Sequence, residues 1–326
     1  MIVTITVDTE EDQWGSYAYE DASTRNIQHL PALQELFDKH GARPTYLVNR
    51  PPLLDQESVA VLGDLSERDS VEVGAHCHPW NTPPISGVGL TMMSGLPEES
   101  NGAMIREITT RIEGELGITP RSFRAGRWGF GPTVSRALAR EGYQIDCSVS
   151  PFIDWTSIGG PDFGTAPHQP YRFDPDDPLT PSSPGSMLEL PTTVGFLRGD
   201  ARQAQRDRLR LEKSVLARFG AVGLMDRAGL LARRWLSPEI STSQQMIQVA
   251  AAALRSGDTY ISMAFHSCTL MSGATPFVAD GHEREEFFRR CDEFLAYCGS
   301  AGFRFRTLSE AGRELAPDLV EAPRSS

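Results

Sequence analysis

Four short stretches carry the residues able to do chemistry. "ITVDTEED" (5–12) supplies Asp8, Glu10, Glu11 and Asp12, "VEVGAHCHPW" (71–80) supplies His76 and His78, "SFRAGRWG" (122–129) supplies Arg124 and Arg127, and "ISMAFHS" (261–267) supplies His266. One carboxylate and two imidazoles suit a divalent first-row metal, with positions left open for water and substrate. In an extended segment residues i and i+2 project to the same side, so His76 and His78 can reach one ion while Cys77 points away. By the same geometry Asp8 and Glu10 project together. Taken singly, each set has an ordinary reading as solvated acids, a satisfied histidine or an ion-paired arginine. Only convergence at one place would make them a site.

Convergence depends on the elements around them. Residues 2–7 are β-branched or apolar at nearly every position, which predicts a strand buried on both faces and therefore parallel. Apolar spacing predicts helices over 27–40, 57–68, 98–117, 133–141, 243–256 and 282–301. Between them lie strands at 44–49, 71–75, 122–125, 143–149, 187–196 and 259–265, with "FRFRTL" and a short helix near the end. Helices alternating with strands in this way imply βαβ units and a parallel sheet. The proline- and glycine-rich stretch 156–188 reads as loop, 200–235 as two helices interrupted around 220–223, and "EAPRSS" (321–326) as disordered. The economical architecture is one α/β barrel-like domain over 1–326, of about seven strands, with an insertion at about 156–242. In such folds the carboxyl ends of the strands share one face, and all four stretches stand at such ends.

Composition narrows the class. The 326 residues include 31 basic and 43 acidic side chains, a net charge of −12, which argues against nucleic acid or an anionic membrane as partner. No run approaches membrane-spanning length. The opening "MIVTITVDTEED" lacks a basic, then apolar, leader pattern, and five cysteines without a C-x-x-C suit reduced thiols. A cytoplasmic location is the expectation.

The four stretches, in order, resemble the motifs of the polysaccharide deacetylase family (NodB-homology, carbohydrate esterase family 4). "TVDTE" is similar to its acidic motif, "GAHCHPW" to its metal-binding histidine motif, "FRAGRWG" to its arginine motif, and "MAFHSCTLMSGATPF" to its final histidine motif. "AHCHPWNTPP" and "LSPE" (236–239) resemble more specifically the WalW-like branch. The resemblance implies a distorted (β/α)7 barrel of the NodB type with a mainly helical and loop insertion. It implies a divalent metal, zinc foremost, held by Glu10, His76 and His78. Asp8 would be the general base, Arg124 its partner, His266 the general acid, and an aspartate, Asp146 or Asp154 and foremost Asp146, would partner His266. Two spacings differ from the common pattern. Thr9 separates the acids, so Glu11 and Asp12 are alternative ligands, and the imidazoles stand at i, i+2 where the family has i, i+4, the latter position being Trp80 here.

Beside these motifs, Trp80, Asn81, Arg127, Trp128 and Trp155 are candidates for substrate binding, since aromatic faces stack on sugar rings; packing under a loop is the alternative for each tryptophan. Glu189 and Thr192 can line the same end. The arginines between 202 and 234 offer either a phosphate-bearing carrier site or a solvated face. The activity the resemblance implies is metal-dependent removal of an N-acyl group, foremost N-acetyl, from an amino sugar or a nucleotide-linked or lipid-linked glycan precursor. Hydrolysis of another amide, a formamide or cyclic ureide, and a non-catalytic glycan-binding barrel are the alternatives.

Overall fold

A computed structural model of the chain describes residues 1–12, 14–15, 22–85, 92–214, 223–225, 229 and 231–320. Seven parallel strands form the frame: β1 (Ile2–Thr9), β2 (Pro44–Val48), β3 (Glu72–Cys77), β4 (Ser122–Ala125), β5 (Ile145–Asp146), β8 (Met187–Glu189) and β11 (Tyr260–His266). Their spatial order is β11-β1-β2-β3-β4-β5-β8, so first and last strands in the chain meet as in a barrel. Between β8 and β11 there is no ladder. The gap is bridged by single backbone hydrogen bonds, Thr193 N–H to Ser262 O at 3.2 Å, Leu236 N–H to Thr193 O at 2.9 Å and Ala264 N–H to Leu236 O at 3.1 Å. The result is the distorted (β/α)7 barrel expected from the sequence, curled but open on one seam.

Side-chain alternation separates inside from outside. Along β1, Val3, Ile5 and Val7 join the large apolar core that also holds the helices α1 (Leu30–Lys39), α2 (Gln56–Ser66), α3 (Glu98–Leu116), α6 (Ser243–Arg255) and α7 (Gly281–Ser300). The other parity points inward: Ile2, Leu47, Ile145, Leu188 and Tyr260 pack with Leu308 and Ala311 of α8 (Leu308–Leu315), which closes the amino end of the barrel. Further along the same inward parity come Asp8, His76, Arg124 and His266. Strand register pairs Asp8 with His266 across β1 and β11, and His76 with Arg124 across β3 and β4. Gly74 lies two residues before His76 on this side; a Cβ there would sit 2.4 Å from Ser122 Oγ and 2.7 Å from Leu47 Cδ2, so only glycine lets the strands approach this closely.

The insertion departs from the sequence expectation. Within 156–188, β6 (Tyr171–Asp174) and β7 (Asp177–Pro181) form an antiparallel hairpin, and β6 pairs with β8, extending the sheet rather than leaving a loop. Proline and glycine density marks the turns and edge of this hairpin, where a missing N–H is tolerated. The strand expected over 187–196 is two, β8 and β9 (Val194–Phe196), separated by the Pro191 break. Of the two helices expected over 200–235, α5 (Ala201–Glu212) forms, whereas 233–235 is strand β10 (Arg233–Trp235), antiparallel to β9. Most of the stretch between them, with Arg218 and Arg227, and the expected disorder of 321–326 lie outside the described residues. The helix α4 (Pro132–Arg140) and the short β12 (Arg304–Phe305) fall near their expected positions.

Candidate active site

At the carboxyl ends of β1 and β3, Glu10, His76 and His78 are buried and point their donor atoms at one another, all within 4.8 Å. His76 Nδ1–H donates to the Arg124 carbonyl at 2.9 Å, which fixes the tautomer and leaves Nε2 as a lone-pair donor. That Nε2 is buried without a hydrogen-bond partner, 3.6 Å from Glu10 Oε2. His78 Nε2 lies 2.9 Å from the same oxygen, and the two imidazoles meet edge to face with centroids 4.4 Å apart. A buried nitrogen lone pair with no partner is costly unless something fills its place. The donor set and this orphaned nitrogen fit a divalent cation. Burial works against the ionised form of Glu10, but the two imidazoles hold its carboxyl well below the usual carboxylate range, as a ligand requires.

The i, i+2 spacing works because of the chain's neighbours. Gly126 faces His78, and a Cβ there would sit 2.2 Å from His78 Nδ1; the ring occupies the room that glycine leaves. Trp80, at the position the family spacing would give a histidine, stacks on His78 with centroids 4.0 Å apart. Its indole N–H donates to Glu11 Oε1 at 3.2 Å. Glu11 also accepts from Asn49 Nδ2 at 2.6 Å and from Asn81 Nδ2 at 3.1 and 3.2 Å. Asp12 accepts from the backbone N–H of Arg25 and Asn26 and the Ser23 hydroxyl, anchoring the next segment. Of the three candidate acids after β1, Glu10 alone is aimed at the imidazoles, and its neighbours are occupied with loop anchoring.

Asp8 accepts from Arg124 Nη1–H at 2.6 Å, and both are buried, Arg124 to 1% exposure. Burial raises the Asp8 pKa, yet Arg124, His76 and His266 together hold it below the ordinary value, so the carboxylate stays ionised. Arg124 is itself placed by the Cys147 carbonyl at 3.1 Å and the Thr192 hydroxyl at 3.3 Å, and its guanidinium lies 5.3 Å from the Trp128 ring centroid. Arg127 and Trp128 both adopt positive φ, 53° and 59°, a conformation that side chains other than glycine rarely take. This turn sets Trp128 over Arg124 and into the cavity.

His266 departs from expectation in its partner. Its Nδ1 lies 3.1 and 3.2 Å from the two oxygens of Glu239, whose Oε1 also accepts the His266 backbone N–H at 3.0 Å and the Thr269 hydroxyl at 2.6 Å. Its Nε2 faces Asp8 Oδ2 at 3.8 Å. Neither Asp146 nor Asp154 fills this role. Asp146 accepts from the Ser148 N–H and hydroxyl and adjoins Glu189 in the parallel register, while Asp154 caps Thr156 in an exposed loop. Burial pushes both the Asp146 and Glu189 carboxyls upward, and the Asp146 charge adds to the rise at Glu189. Glu239 belongs to the "LSPE" stretch; the signal in the sequence was an acid following a proline just before a helix, with nothing to say that the open seam of the barrel brings it beside β11.

Burial lowers the His266 pKa, but Glu239, Glu10 and Asp8 outweigh it and push the imidazolium up to about 10. Glu239→Gln removes the nearest of these charges. With His266 as the acid of a hydrolytic reaction, the alkaline limb of kcat/KM would follow loss of its proton and is expected to move from near pH 10 toward the ordinary imidazole range, measurable as activity lost between pH 8 and 9 that the wild type retains. An unchanged limb would remove Glu239 from the role.

These groups open into a cavity of about 280 Å³ lined by Asp8, Glu10, His76, His78, Arg124 and His266, with Arg127, Trp128 and Trp155 on its walls. Trp14, which the sequence did not single out, also lines it and packs edge-on against the His266 ring at 4.5 Å. Asn81 does not reach the cavity: it is fully enclosed beside Glu11. Trp80 touches the wall while supporting His78. In α5, Arg208 pairs with Glu212 and Arg210 with Asp207, and Arg202 bonds His168; no arginine of α5 lines this cavity. The five cysteines are buried thiols without disulfides. Among the described residues no helix is long and apolar enough to cross a membrane.

No known protein-family pattern matches the chain, and no curated protein sequence does so. Solved structures do match. A Mycobacterium smegmatis protein provisionally named a polysaccharide deacetylase aligns over 100% of this chain and 93% of its own, at 15% identity and a TM-score of 0.58. A Parabacteroides distasonis protein provisionally named a glycoside hydrolase/deacetylase aligns over 96% of this chain and 71% of its own, at 14% identity and a TM-score of 0.61. The barrel is therefore of the polysaccharide deacetylase type, the fold that the four motifs implied.

Proposed function

We propose that this chain is a metal-dependent member of the polysaccharide deacetylase family that hydrolyses the N-acyl group of an amino sugar or glycan precursor. The observation that carries the reading is the buried, partnerless His76 Nε2, held in its tautomer by the Arg124 carbonyl and grouped with Glu10 and His78. A divalent metal held by these three residues, zinc being the expected ion, would polarise the amide carbonyl and acidify the attacking water. Asp8 takes a proton from that water, and Arg124 keeps the carboxylate ionised and aimed. His266, held protonated by Glu239, gives its proton to the departing nitrogen as the C–N bond breaks. The carboxylic acid and the free amine are the products.

Five free thiols support a reducing compartment, and hence a cytoplasmic substrate such as a nucleotide-linked or lipid-linked precursor. The test is direct: protein supplied with one equivalent of zinc or cobalt is offered N-acylated glucosamine as monosaccharide, nucleotide sugar and lipid-linked sugar. Stoichiometric release of carboxylic acid and primary amine is expected from at least one of them. Absence of both products from the whole set would overturn the reading.

A further inference from the structure

A second cavity, of about 240 Å³, adjoins the first and shares Asp8, Trp14, Trp128, Trp155 and His266 with it. Glu10, His76 and His78 are absent from its lining; instead Trp235, Ile240 and Phe277 close it. All five tryptophans of the chain thus line one cavity or the other. Trp235 lies 5.2 Å from Trp128 and 6.4 Å from Trp155 between ring centroids, and Trp14 packs edge-on against Phe277 at 5.2 Å. Most polar groups of this second wall already have partners, and Asp8 Oδ2 and His266 Nε2, 3.8 Å apart, are the two left to face the reacting amide. Glu239 accepts from His266 and Thr269, Ser237 Oγ contacts Glu239 at 3.5 Å, and Asp8 is bound to Arg124.

A sugar subsite needs placed polar side chains beside its aromatic face, to meet the ring hydroxyls. Apart from Asp8 and His266 at its border with the first cavity, this cavity offers among its described residues aromatic and aliphatic walls and polar groups committed to one another. Its rim points the same way. Six large apolar side chains are well exposed on the described surface, and Trp14, Ile158 and Ile240, at 40, 48 and 51% exposure, all stand at the mouths of these two cavities. A scattered exposed leucine needs no explanation, but three such residues around one opening mark a surface that apolar matter covers.

We propose that the second cavity binds an apolar group of the substrate larger than an acetyl methyl, next to the scissile amide. The inference rests on the N-deacylase reading and narrows its substrate class to N-acyl amino sugars bearing a multi-carbon or aromatic acyl residue, or an apolar aglycone. A methyl is of the order of a water, about 30 Å³, and leaves most of the cavity empty. Each methylene added to a fitting apolar pocket is worth roughly tenfold or more in discrimination. The reaction is unchanged: water adds its hydroxyl to the acyl carbon, the C–N bond breaks, and the amine leaves with one proton.

The tryptophans make binding visible apart from catalysis. Zinc-loaded Asp8→Asn protein is titrated with N-acetyl-, N-butanoyl-, N-hexanoyl- and N-benzoylglucosamine, and with methyl, hexyl and phenyl N-acetylglucosaminides, following intrinsic fluorescence; kcat/KM of the wild type is measured on the same compounds. Affinity and kcat/KM are expected to rise at least tenfold from the smallest to the largest member of one series, and that series identifies whether acyl group or aglycone occupies the cavity. Trp235→Ala should abolish the rise, and Ile240→Asp, at an exposed rim position that folding tolerates, should do the same. Flat affinities in both series, or a rise that survives Ile240→Asp and Trp235→Ala, would overturn the proposal. Selective binding with no acid released from any compound would leave this inference standing and sink the deacylase reading instead.

Discussion

Asp8→Asn is expected to lower kcat/KM by roughly 10²- to 10⁴-fold, the range that a positioned general base supplies. The variant keeps the shape of the side chain and an oxygen able to accept from Arg124, but it cannot take a proton. Zinc content should be unchanged, because Glu10, His76 and His78 form the donor group without Asp8. A second effect follows from charge. Arg124 is enclosed, and its 2.6 Å ion pair with Asp8 is the closest compensation for its charge. Breaking one partner of a buried pair typically costs about 3–5 kcal/mol, and the amide's remaining hydrogen bond and the nearby Asp146 carboxyl reduce that figure here. Thermal or denaturant unfolding should therefore show a destabilisation smaller than that of Asp8→Leu, which removes the acceptor as well. Wild-type turnover in Asp8→Asn would remove Asp8 from proton transfer, and wild-type stability in Asp8→Leu would contradict the buried pair.

The parts of this site that could be read from the sequence share a physical cause. Strand parity is local: once β1, β3, β4 and β11 are recognised as parallel strands, the inward positions of Asp8, His76, Arg124 and His266 follow from period-two alternation, and their convergence follows from a common carboxyl end. The parts that could not be read depend on contacts across the seam or within loops. Glu239 stands 27 residues before His266, and reaches it because the barrel is bridged there by Thr193 and Leu236 rather than by a ladder. Composition gave no measure of this irregularity. Asp146 looked like the partner because it ends a strand, yet that strand lies on the far side of β4, where its neighbour is Glu189. Asn81 sits beside the histidines in the chain, but its amide is spent on Glu11. The hairpin β6–β7 was hidden for a different reason: prolines suppress strand propensity, and an edge hairpin tolerates them because half its backbone groups face outward.

His76→Ala should have the other large effect, on metal binding itself. His76 is firmly placed: Nδ1 is tied to the Arg124 carbonyl, and the ring is buried on an inward strand position. Loss of an outer partner of a ligand costs roughly 10–100-fold in metal affinity, so loss of the ligand itself should cost more. Zinc titration by calorimetry or a competing chelator should show that loss, with hydrolysis falling to background. Glu11→Gln is the control that separates ligation from local support. Glu11 lines the same cavity but accepts from Asn49, Trp80 and Asn81 and is not one of the grouped donors, so its amide should loosen this loop while leaving one bound zinc. Proton competition supplies an independent check, because the imidazoles must be neutral to ligate: zinc affinity should fall as pH falls through the histidine range. The i, i+2 arrangement makes the comparison with His78→Ala decisive. If both imidazoles hold one ion, each single variant should weaken zinc binding and the double variant should bind none. If His78→Ala binds zinc as tightly as the wild type, His78 is a wall of the substrate cavity, and Glu10 and His76 alone cannot account for a three-residue centre.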